Sequence, residues 1–216
     1  MKYGVVQFPG TCDDADALLA ARRLGEATYL WHADRDLQGV DAVIVPGGFS
    51  YGDYLRVGAV ARFAPVMEEV ERFALNGGLV LGICNGFQIL CEAGLLPGAL
   101  LPNQNLKFAM RQTEIEVLDS GCKWTAGLTP GERLSIPAKH TTGRYYAPEP
   151  VLDEMRENGQ IVLRYADDPI PNGSVESIAG VCNKAGNVLG LMPHPEHAVD
   201  VLTGGADGLK ILAAAA

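Results

Sequence analysis

"GLVLGICNGFQIL", residues 78–90, is an apolar run that changes to a helical pattern at a cysteine lying between two glycines. The residues before Cys84 are apolar almost throughout, which predicts a strand buried on both faces of a parallel sheet. Gly82 and Gly86 allow a strand and the helix after it to approach closely, and the turn between them lifts a side chain above the sheet. The stretch therefore predicts a strand-turn-helix with Cys84 at the turn, and with it an α/β fold.

Two interpretations of Cys84 remain open at this point. Free cysteine is among the most frequently buried residue types, so the thiol could simply fill core space at the end of a strand. A thiol at a helix N-terminus, by contrast, lies among unpaired backbone N–H groups and the positive end of the helix dipole, which favour the nucleophilic thiolate. The local pattern does not separate a structural thiol from a nucleophile.

The flanking sequence extends the α/β pattern over the first half of the chain and changes it in the second. Strands are predicted at 2–8, 27–31, 41–46 and 78–84, and helices at 13–24, 65–76 and 85–94. The later strands, which look more antiparallel, are predicted at 113–119, at 133–140 and twice within 175–193, before a last helix at 205–216. We expect an open, mostly parallel, doubly wound sheet with an antiparallel portion from the second half. One domain over residues 1–216 is predicted.

Composition excludes several classes of function. The formal net charge of −9 argues against a nucleic acid or an anionic bilayer as the main partner. Five cysteines without a CxxC pair fit neither a disulfide framework nor a zinc site, so reduced thiols and no bound metal are expected. No apolar run is long enough for a transmembrane helix, and the first residues read as a strand rather than a signal peptide. These features predict a cytoplasmic location.

A thiolate needs a base, and one of the four histidines directly follows an apolar strand. His194 lies in "LGLMPHPEHAVD", between two prolines that predict an extended backbone. Glu196, two residues on, can then lie on the same side as the imidazole, accept its second N–H and fix its tautomer. His197 is the local competitor, and a surface turn with a stray histidine is the alternative interpretation.

The loop "VIVPGGFSYGD", residues 43–53, also follows an apolar strand. Gly47 and Gly48 free the backbone to point N–H groups into a cleft, as an oxyanion hole requires, although an ordinary glycine-rich turn has the same sequence pattern. The loop is not a phosphate loop, because no Gly-x-x-x-x-Gly-Lys-Ser/Thr occurs in the chain. Ligands of open parallel sheets bind outside the carboxyl ends of the strands, so the three strand-end stretches predict one site.

Together these stretches resemble the class I, or triad, glutamine amidotransferases, which have a flavodoxin-like fold and share Gly-x-Cys-x-Gly and "HPE". The similarity is closer to the glutaminase subunits of phosphoribosylformylglycinamidine synthase. It is carried, in the expected order, by "PGGFSYGDYLR", "GICNGFQIL", "GLLPGAL", "PNGS" and "LGLMPHPE". The stretch "GGFSYGDYLR" is what narrows the resemblance to this branch.

The resemblance implies a role for each candidate residue. It implies a nucleophile at Cys84, a general base and acid at His194, and an orienting carboxylate at Glu196. Further implied roles are the oxyanion-hole donors Gly48 and Asn85 and the glutamine contacts Gly47, Gly48 and Gln88. The middle of the chain departs from the family, because "HTTGRYY" replaces the usual His-Gly-Glu-Gly-Arg-Tyr-Tyr, with Thr141 and Thr142 in place of a glycine and an acid.

The activity implied by the resemblance is hydrolysis of L-glutamine to glutamate and ammonia. A large ATP-dependent synthetase would use the ammonia to convert formylglycinamide ribonucleotide to formylglycinamidine ribonucleotide in purine biosynthesis, with a small accessory subunit in the same complex. No cofactor is expected in this chain, and ATP and Mg²⁺ are expected in the synthetase.

Two rival functions are kept as alternatives. One is another cysteine hydrolase on a similar sheet, of the peptidase or deglycase type, in which a histidine tends to follow the nucleophile directly, where this chain has Asn85. The other is a non-catalytic binding or thiol-sensing subunit, which would release no glutamate even with its partners.

Overall fold

The computed structural model describes residues 1–118 and 121–213. The strands are β1 (Lys2–Gln7), β2 (Glu26–Trp31), β3 (Ala42–Val45), β4 (Leu79–Ile83), β5 (Ala99–Leu101), β6 (Ala109–Val117), β7 (Arg133–His140), β8 (Arg144–Tyr146), β9 (Ile161–Tyr165), β10 (Ile178–Cys182) and β11 (Val188–Leu191). The helices are α1 (Asp14–Arg22), α2 (Pro65–Leu75), α3 (Asn85–Glu92), α4 (Glu149–Glu157) and α5 (Asp207–Ala213).

One nine-stranded sheet has the order β2-β1-β3-β4-β11-β10-β9-β6-β7, and β5 pairs separately with β8. The pairs from β2 to β11 are parallel, and those from β11 to β7 are antiparallel. Strands β6 and β10 therefore run opposite to the other strands. The predicted mostly parallel sheet, with its antiparallel portion from the second half, is confirmed.

The order of the strands explains where a ligand site forms. The chain begins at β1, passes through α1 to β2 on one side, and then returns past β1 to β3, α2 and β4 on the other. Because parallel crossovers are right-handed, this reversal puts α1 and α2 on opposite faces of the sheet. The reversal lies between β1 and β3, and open α/β sheets bind ligands beside such a point.

The two central strands are buried because their sequences are apolar. β3 is buried over its whole length, and β4 is fully buried from Val80 onward. Its register aligns Ile44 with Leu81 on one side and Leu191 with Ile83 on the other. Burying one such aliphatic side chain contributes about 1.5–3 kcal/mol. The carboxyl ends of β3, β4 and β11 are thus held side by side.

Several elements after α3 were not predicted from the sequence. α4 buries only Leu152 and Met155, which leaves its apolar stripe too narrow to stand out. β5 and β8 are three residues each and pair only with one another. The predicted last helix is present as α5, while positions 119 and 214–216 of the predicted elements lie outside the described residues. Within the described part of the chain, no helix combines the length and apolar character needed to cross a membrane.

Candidate active site

Cys84 lies in the sharp turn between β4 and α3. Its backbone adopts φ 50° and ψ −104°, a conformation that costs a residue other than glycine about 1–3 kcal/mol. Two hydrogen bonds hold the turn: the N–H of Cys84 donates to Leu191 O at 2.8 Å, and the N–H of Gln88 donates to Cys84 O at 3.2 Å. The first ties the turn to β11 and the second starts the helix. The predicted strand-turn-helix is thus present, with strain at the cysteine.

The flanking glycines are required by close packing. A Cβ at Gly86 would lie 1.8 Å from the carbonyl oxygen of Val45, and a Cβ at Gly82 would lie 2.5 Å from Leu90 Cδ1. Helix α3 therefore sits directly on β3 and β4, as the sequence pattern indicates. The same contact fixes the height of Cys84 above the sheet.

We expect Gly86→Ala to lower the free energy of unfolding by about 3 kcal/mol, because overpacking against backbone cannot be relieved by a side-chain rotation. Urea denaturation measures this change. The control is Gly121→Ala, where an added Cβ meets nothing within 4 Å, and a change within about 0.5 kcal/mol is expected there. Equal midpoints for the two variants would contradict the contact with Val45.

His194 and Glu196 form a buried pair just after β11. The imidazole Nδ1 lies 2.6 Å from Glu196 Oε1, and both side chains are almost fully buried. The extended backbone predicted here is correct for His194 but wrong beyond it, because Pro195–His197 form a 3-10 turn. Proline suits the first position of a helical turn, where its missing N–H leaves no unmet bond. The turn, rather than an extended segment, carries Glu196 back beside the imidazole.

The second nitrogen of His194 faces the thiol. Nε2 is buried and has no hydrogen-bond partner within bonding distance among the described residues. Burial alone would lower the pKa of His194, but Glu196 and the neighbouring Cys84 outweigh burial and raise the pKa to about 10. Glu196 and Cys84 therefore favour the imidazolium form of His194. His197 points elsewhere, since its Nε2 lies 3.2 Å from Asp16 Oδ2 while its ring stacks on His194.

Two backbone N–H groups belong to residues beside Cys84: Gly48 lines the same cavity, and Asn85 directly follows the cysteine. Gly48 has φ +148°, and a Cβ there would lie 2.6 Å from the nitrogen of Cys12. The N–H of Phe49 donates to Gly10 O, whereas the N–H of Gly48 donates none of the hydrogen bonds found in the described part of the chain. The N–H of Asn85 belongs to the first turn of α3, where no helical acceptor is available. An N–H group without a backbone acceptor can donate to an oxyanion, which is the role expected of Gly48 and Asn85.

The side chain of Asn85 fixes the glycine-rich loop to α3. Its Oδ1 accepts from the N–H of Ser50 at 3.0 Å, and its Nδ2 donates to Asp53 Oδ1 at 3.2 Å and to Gln88 Oε1 at 2.8 Å. Burial raises the pKa of Asp53, and the bond from Asn85 opposes this rise. Tyr51 and Asp53 have positive φ, so the loop is strained where Asn85 holds it.

A cavity of about 500 Å³, counting its open mouth, lies over these groups. Of the predicted site residues, it is lined by Gly48, Cys84, Gln88 and His194. Asn85 and Glu196 are buried behind the wall. Gly47 is also behind it, because a Cβ there would lie 2.4 Å from Asp13 Oδ2 and 2.9 Å from His194 Cε1. The structure thus brings the predicted residues together, with Gly47 packed against the histidine rather than against the cavity.

Comparison with known proteins identifies the family. The family model of the CobB/CobQ-like glutamine amidotransferase domain matches residues 1–204. The PurQ subunit of phosphoribosylformylglycinamidine synthase from Mycobacterium tuberculosis is 58% identical over 207 residues, covering 95% of this chain and 92% of the relative. That from Rubrobacter xylanophilus is 56% identical over 213 residues, covering 98% and 96%. The chain belongs to the PurQ family of glutamine amidotransferases.

The structures similar to this PurQ-family chain agree with that assignment. The structure of PurLQS from Thermotoga maritima matches with a TM-score of 0.90 at 43% identity, covering 99% of this chain and 96% of the other. The crystal structure of a glutamine amidotransferase from Thermotoga maritima matches with a TM-score of 0.59 at 16% identity, covering 92% and 77%. The second similarity is one of fold alone.

The departure from the usual PurQ motif leaves one site contact in place. Gln88 Nε2 donates to the backbone oxygen of Thr142 at 2.5 Å. Any residue at position 142 supplies that oxygen, so the loss of the acid does not remove the bond. Thr141 and Thr142 both line the cavity, and their side chains change its wall where the family usually has a glycine and a glutamate.

Sequence reasoning missed His140, a buried histidine on the cavity wall. Asn103 Nδ2 donates to His140 O at 2.8 Å, which identifies Asn103 Oδ1 as the acceptor of the ring proton on Nδ1, 3.1 Å away. Nε2 is then an acceptor, and it has no partner within the described residues. Burial and the charge of His194 lower the pKa of His140 to about 4, so the ring is neutral at pH 7. The sequence signal that could have found His140 was its position at the end of the strand predicted at 133–140.

One group of side chains in this PurQ-family chain has the composition of a metal site. Donor atoms of Asp13, His194, Glu196 and His197 lie within 4.8 Å of one another. The positive charge that such a group attracts is already supplied, because the ammonium of Lys139 lies 2.6 Å from Asp13 Oδ1 and Glu196 is bonded to His194. We therefore assign no metal to it.

Proposed function

We propose that this chain is the glutaminase subunit of a phosphoribosylformylglycinamidine synthase and hydrolyses L-glutamine to glutamate and ammonia. The observation that carries the proposal is the shared cavity of Cys84 and His194, with Glu196 on the far nitrogen of the imidazole. Nucleophile, base and orienting group arranged in this order are the requirements of covalent acyl transfer. The similarity to PurQ subunits of phosphoribosylformylglycinamidine synthase supports the choice of that enzyme as the one to which the glutaminase belongs.

The first half of the reaction forms a thioester. The Cys84 thiolate attacks the side-chain amide carbon of glutamine, and the carbonyl oxygen becomes an oxyanion that accepts from the N–H groups of Gly48 and Asn85. The His194 imidazolium gives its Nε2 proton to the amide nitrogen, the C–N bond breaks, and ammonia leaves. Gln88, on the cavity wall, contacts the substrate.

The second half releases glutamate. Neutral His194 takes a proton from water through Nε2, and the hydroxide attacks the thioester carbon. The C–S bond then breaks, which restores the Cys84 thiolate beside the His194 imidazolium. Glu196 keeps the Nδ1 proton in place throughout, so Nε2 alone exchanges protons.

The proposal includes a large synthetase that consumes the ammonia, with ATP and Mg²⁺ bound there, and a small accessory subunit. The structure of PurLQS from the Thermotoga maritima relative supports such a complex. Apolar side chains around the cavity mouth also support it, since Phe49 and Phe108 line the cavity and remain about half exposed. A contiguous exposed apolar patch is typical of a protein interface, and these two phenylalanines border the same cavity.

Two further expectations belong to this proposal. A single domain over residues 1–216 is supported by the nine-stranded sheet, to which both halves of the chain contribute strands. A cytoplasmic location stays a prediction from the sequence.

Amide-labelled glutamine tests the proposal. The chain is combined with the large and small subunits, ATP, Mg²⁺ and formylglycinamide ribonucleotide, and [amide-¹⁵N]glutamine is supplied. We expect ¹⁵N in the amidine product, with one glutamate released for each product molecule. Omitting this chain should abolish synthesis from glutamine but not synthesis from ammonium chloride. Product formed from glutamine at the same rate without the chain would contradict the proposal.

A further inference from the structure

Asp13 lies directly before α1, but its side chain does not cap the helix. It is the residue before the first helical turn, where aspartate commonly accepts a hydrogen bond from a backbone N–H of that turn. Its side chain makes no such bond. The carboxylate is turned inward instead and is only 8% exposed. A buried carboxylate needs other partners to offset its lost hydration.

Those partners lie in the active site. Asp13 Oδ1 accepts from Lys139 Nζ at 2.6 Å, and Asp13 Oδ2 lies 3.7 Å from His194 Nδ1. The absent side chain of Gly47 makes room for this approach, since a Cβ there would collide with Asp13 Oδ2 and touch His194 Cε1. Asp13 is thus packed against the imidazole on the side of its Glu196-bonded nitrogen.

The charges around His194 come from four parts of the chain. The titratable groups are Asp13 before α1, Lys139 and His140 at the end of β7, Cys84 in the turn between β4 and α3, and Glu196 and His197 beside His194 itself. Neutral His140 adds no charge. A carboxylate oxygen 3.7 Å from Nδ1 favours the imidazolium form of His194. The ammonium of Lys139, on the other oxygen of Asp13, opposes that effect.

We propose that Asp13 is a positioning residue for His194: its carboxylate, anchored by Lys139, holds the imidazole ring beside Cys84 and favours its protonated form. The role rests on the proposed glutaminase function, in which that proton passes to the leaving ammonia. Lys139 also reaches the nucleophile, because its backbone oxygen lies 3.8 Å from Cys84 Sγ. One residue of β7 thus contacts both the sulfur and the carboxylate that faces the base.

The test is an NMR titration of His194 in the isolated chain, which needs no turnover and stays informative even if glutamine is not the substrate. The Cε1 resonance of His194 is followed from pH 6 to 11 in the wild type and in Asp13→Asn. We expect the variant to lower the His194 pKa by about one unit, the lower end of the range for an opposite charge at this distance. Lys139→Gln should move the pKa upward instead, since it leaves the carboxylate uncompensated.

Asp16→Asn is the matched control. Asp16 contacts His197 and is exposed, so its removal should leave the His194 titration within about 0.2 units. In the complex, Asp13→Asn should lower kcat with glutamine roughly tenfold at the alkaline end of the profile and leave KM within about twofold. An unchanged titration in Asp13→Asn, or a raised KM with unchanged kcat, would overturn the proposal, because Asp13 would then be a structural or a substrate-contact residue.

Discussion

Replacing Cys84 with alanine should abolish glutamine-dependent synthesis by the reconstituted complex and leave synthesis from ammonium salts at the wild-type rate. Removal of the nucleophile from a triad costs about 10⁴-fold or more in kcat, since the remaining groups have nothing to activate. Alanine has no sulfur, and like cysteine it has a Cβ, so the backbone strain at φ 50° should be similar in the variant. Glutamate release and product formation, assayed with glutamine and separately with ammonium chloride, measure the two rates.

Cys91→Ala is the control for this variant. Cys91 belongs to α3, the helix that follows Cys84; its Sγ lies 3.8 Å from Pro97 O, and it does not line the cavity. Removing this thiol should leave both rates within about twofold of the wild type. Glutamine-dependent turnover that survives in Cys84→Ala would reject Cys84 as the nucleophile. Loss of both rates would instead show that the variant no longer supports the complex.

The centre of the site was predictable because three strand ends carry it. An apolar run in the sequence indicates a buried strand. The residues that follow it lie at the carboxyl end of that strand, and parallel strands place their carboxyl ends along the same edge of the sheet. Cys84, Gly48 and His194 each follow such a run. Their proximity therefore follows from fold class alone, without knowledge of any side-chain contact.

The rest of the site depends on contacts that strand ends do not specify. Asp13 reaches His194 because it turns away from its own helix, and sequence predicts the opposite for an aspartate at that position. Lys139 and His140 reach the cavity from β7, at the far edge of the sheet. The connection is a hydrogen bond from the N–H of His194 to Pro137 O at 2.8 Å. No local pattern pairs those two segments.

The antiparallel half of the sheet was less predictable for a similar reason. The strands β6 and β7 alternate buried and exposed residues, so they can be recognised one by one. β9 joins them to the central sheet, with β10 on its other side, and it is only five residues long. A short apolar run of that kind fits a strand or a piece of buried helix. The sequence therefore left undetermined both the existence of β9 and the order of the strands in this half of the sheet.

Glu196→Gln should lower kcat with glutamine by about 10⁴-fold and leave synthesis from ammonium salts unchanged. The effect of the corresponding change in a serine-protease triad is of this size, because an amide can present its NH₂ group to Nδ1 and force the proton onto the wrong nitrogen. Burial then acts on His194 without an opposing charge from Glu196. The His194 pKa should fall, so the alkaline limb of kcat against pH should move to lower pH.

Glu154→Gln removes a carboxylate from an exposed pair with Lys184, and it should leave the pH profile and kcat unchanged. The two carboxylates near His194 predict a graded series. Glu196 is bonded to Nδ1 at 2.6 Å, whereas Asp13 lies 3.7 Å away and shares its charge with Lys139. The shift of the limb should therefore be larger in Glu196→Gln than in Asp13→Asn. Equal shifts would mean that charge near His194 matters and the orienting bond does not.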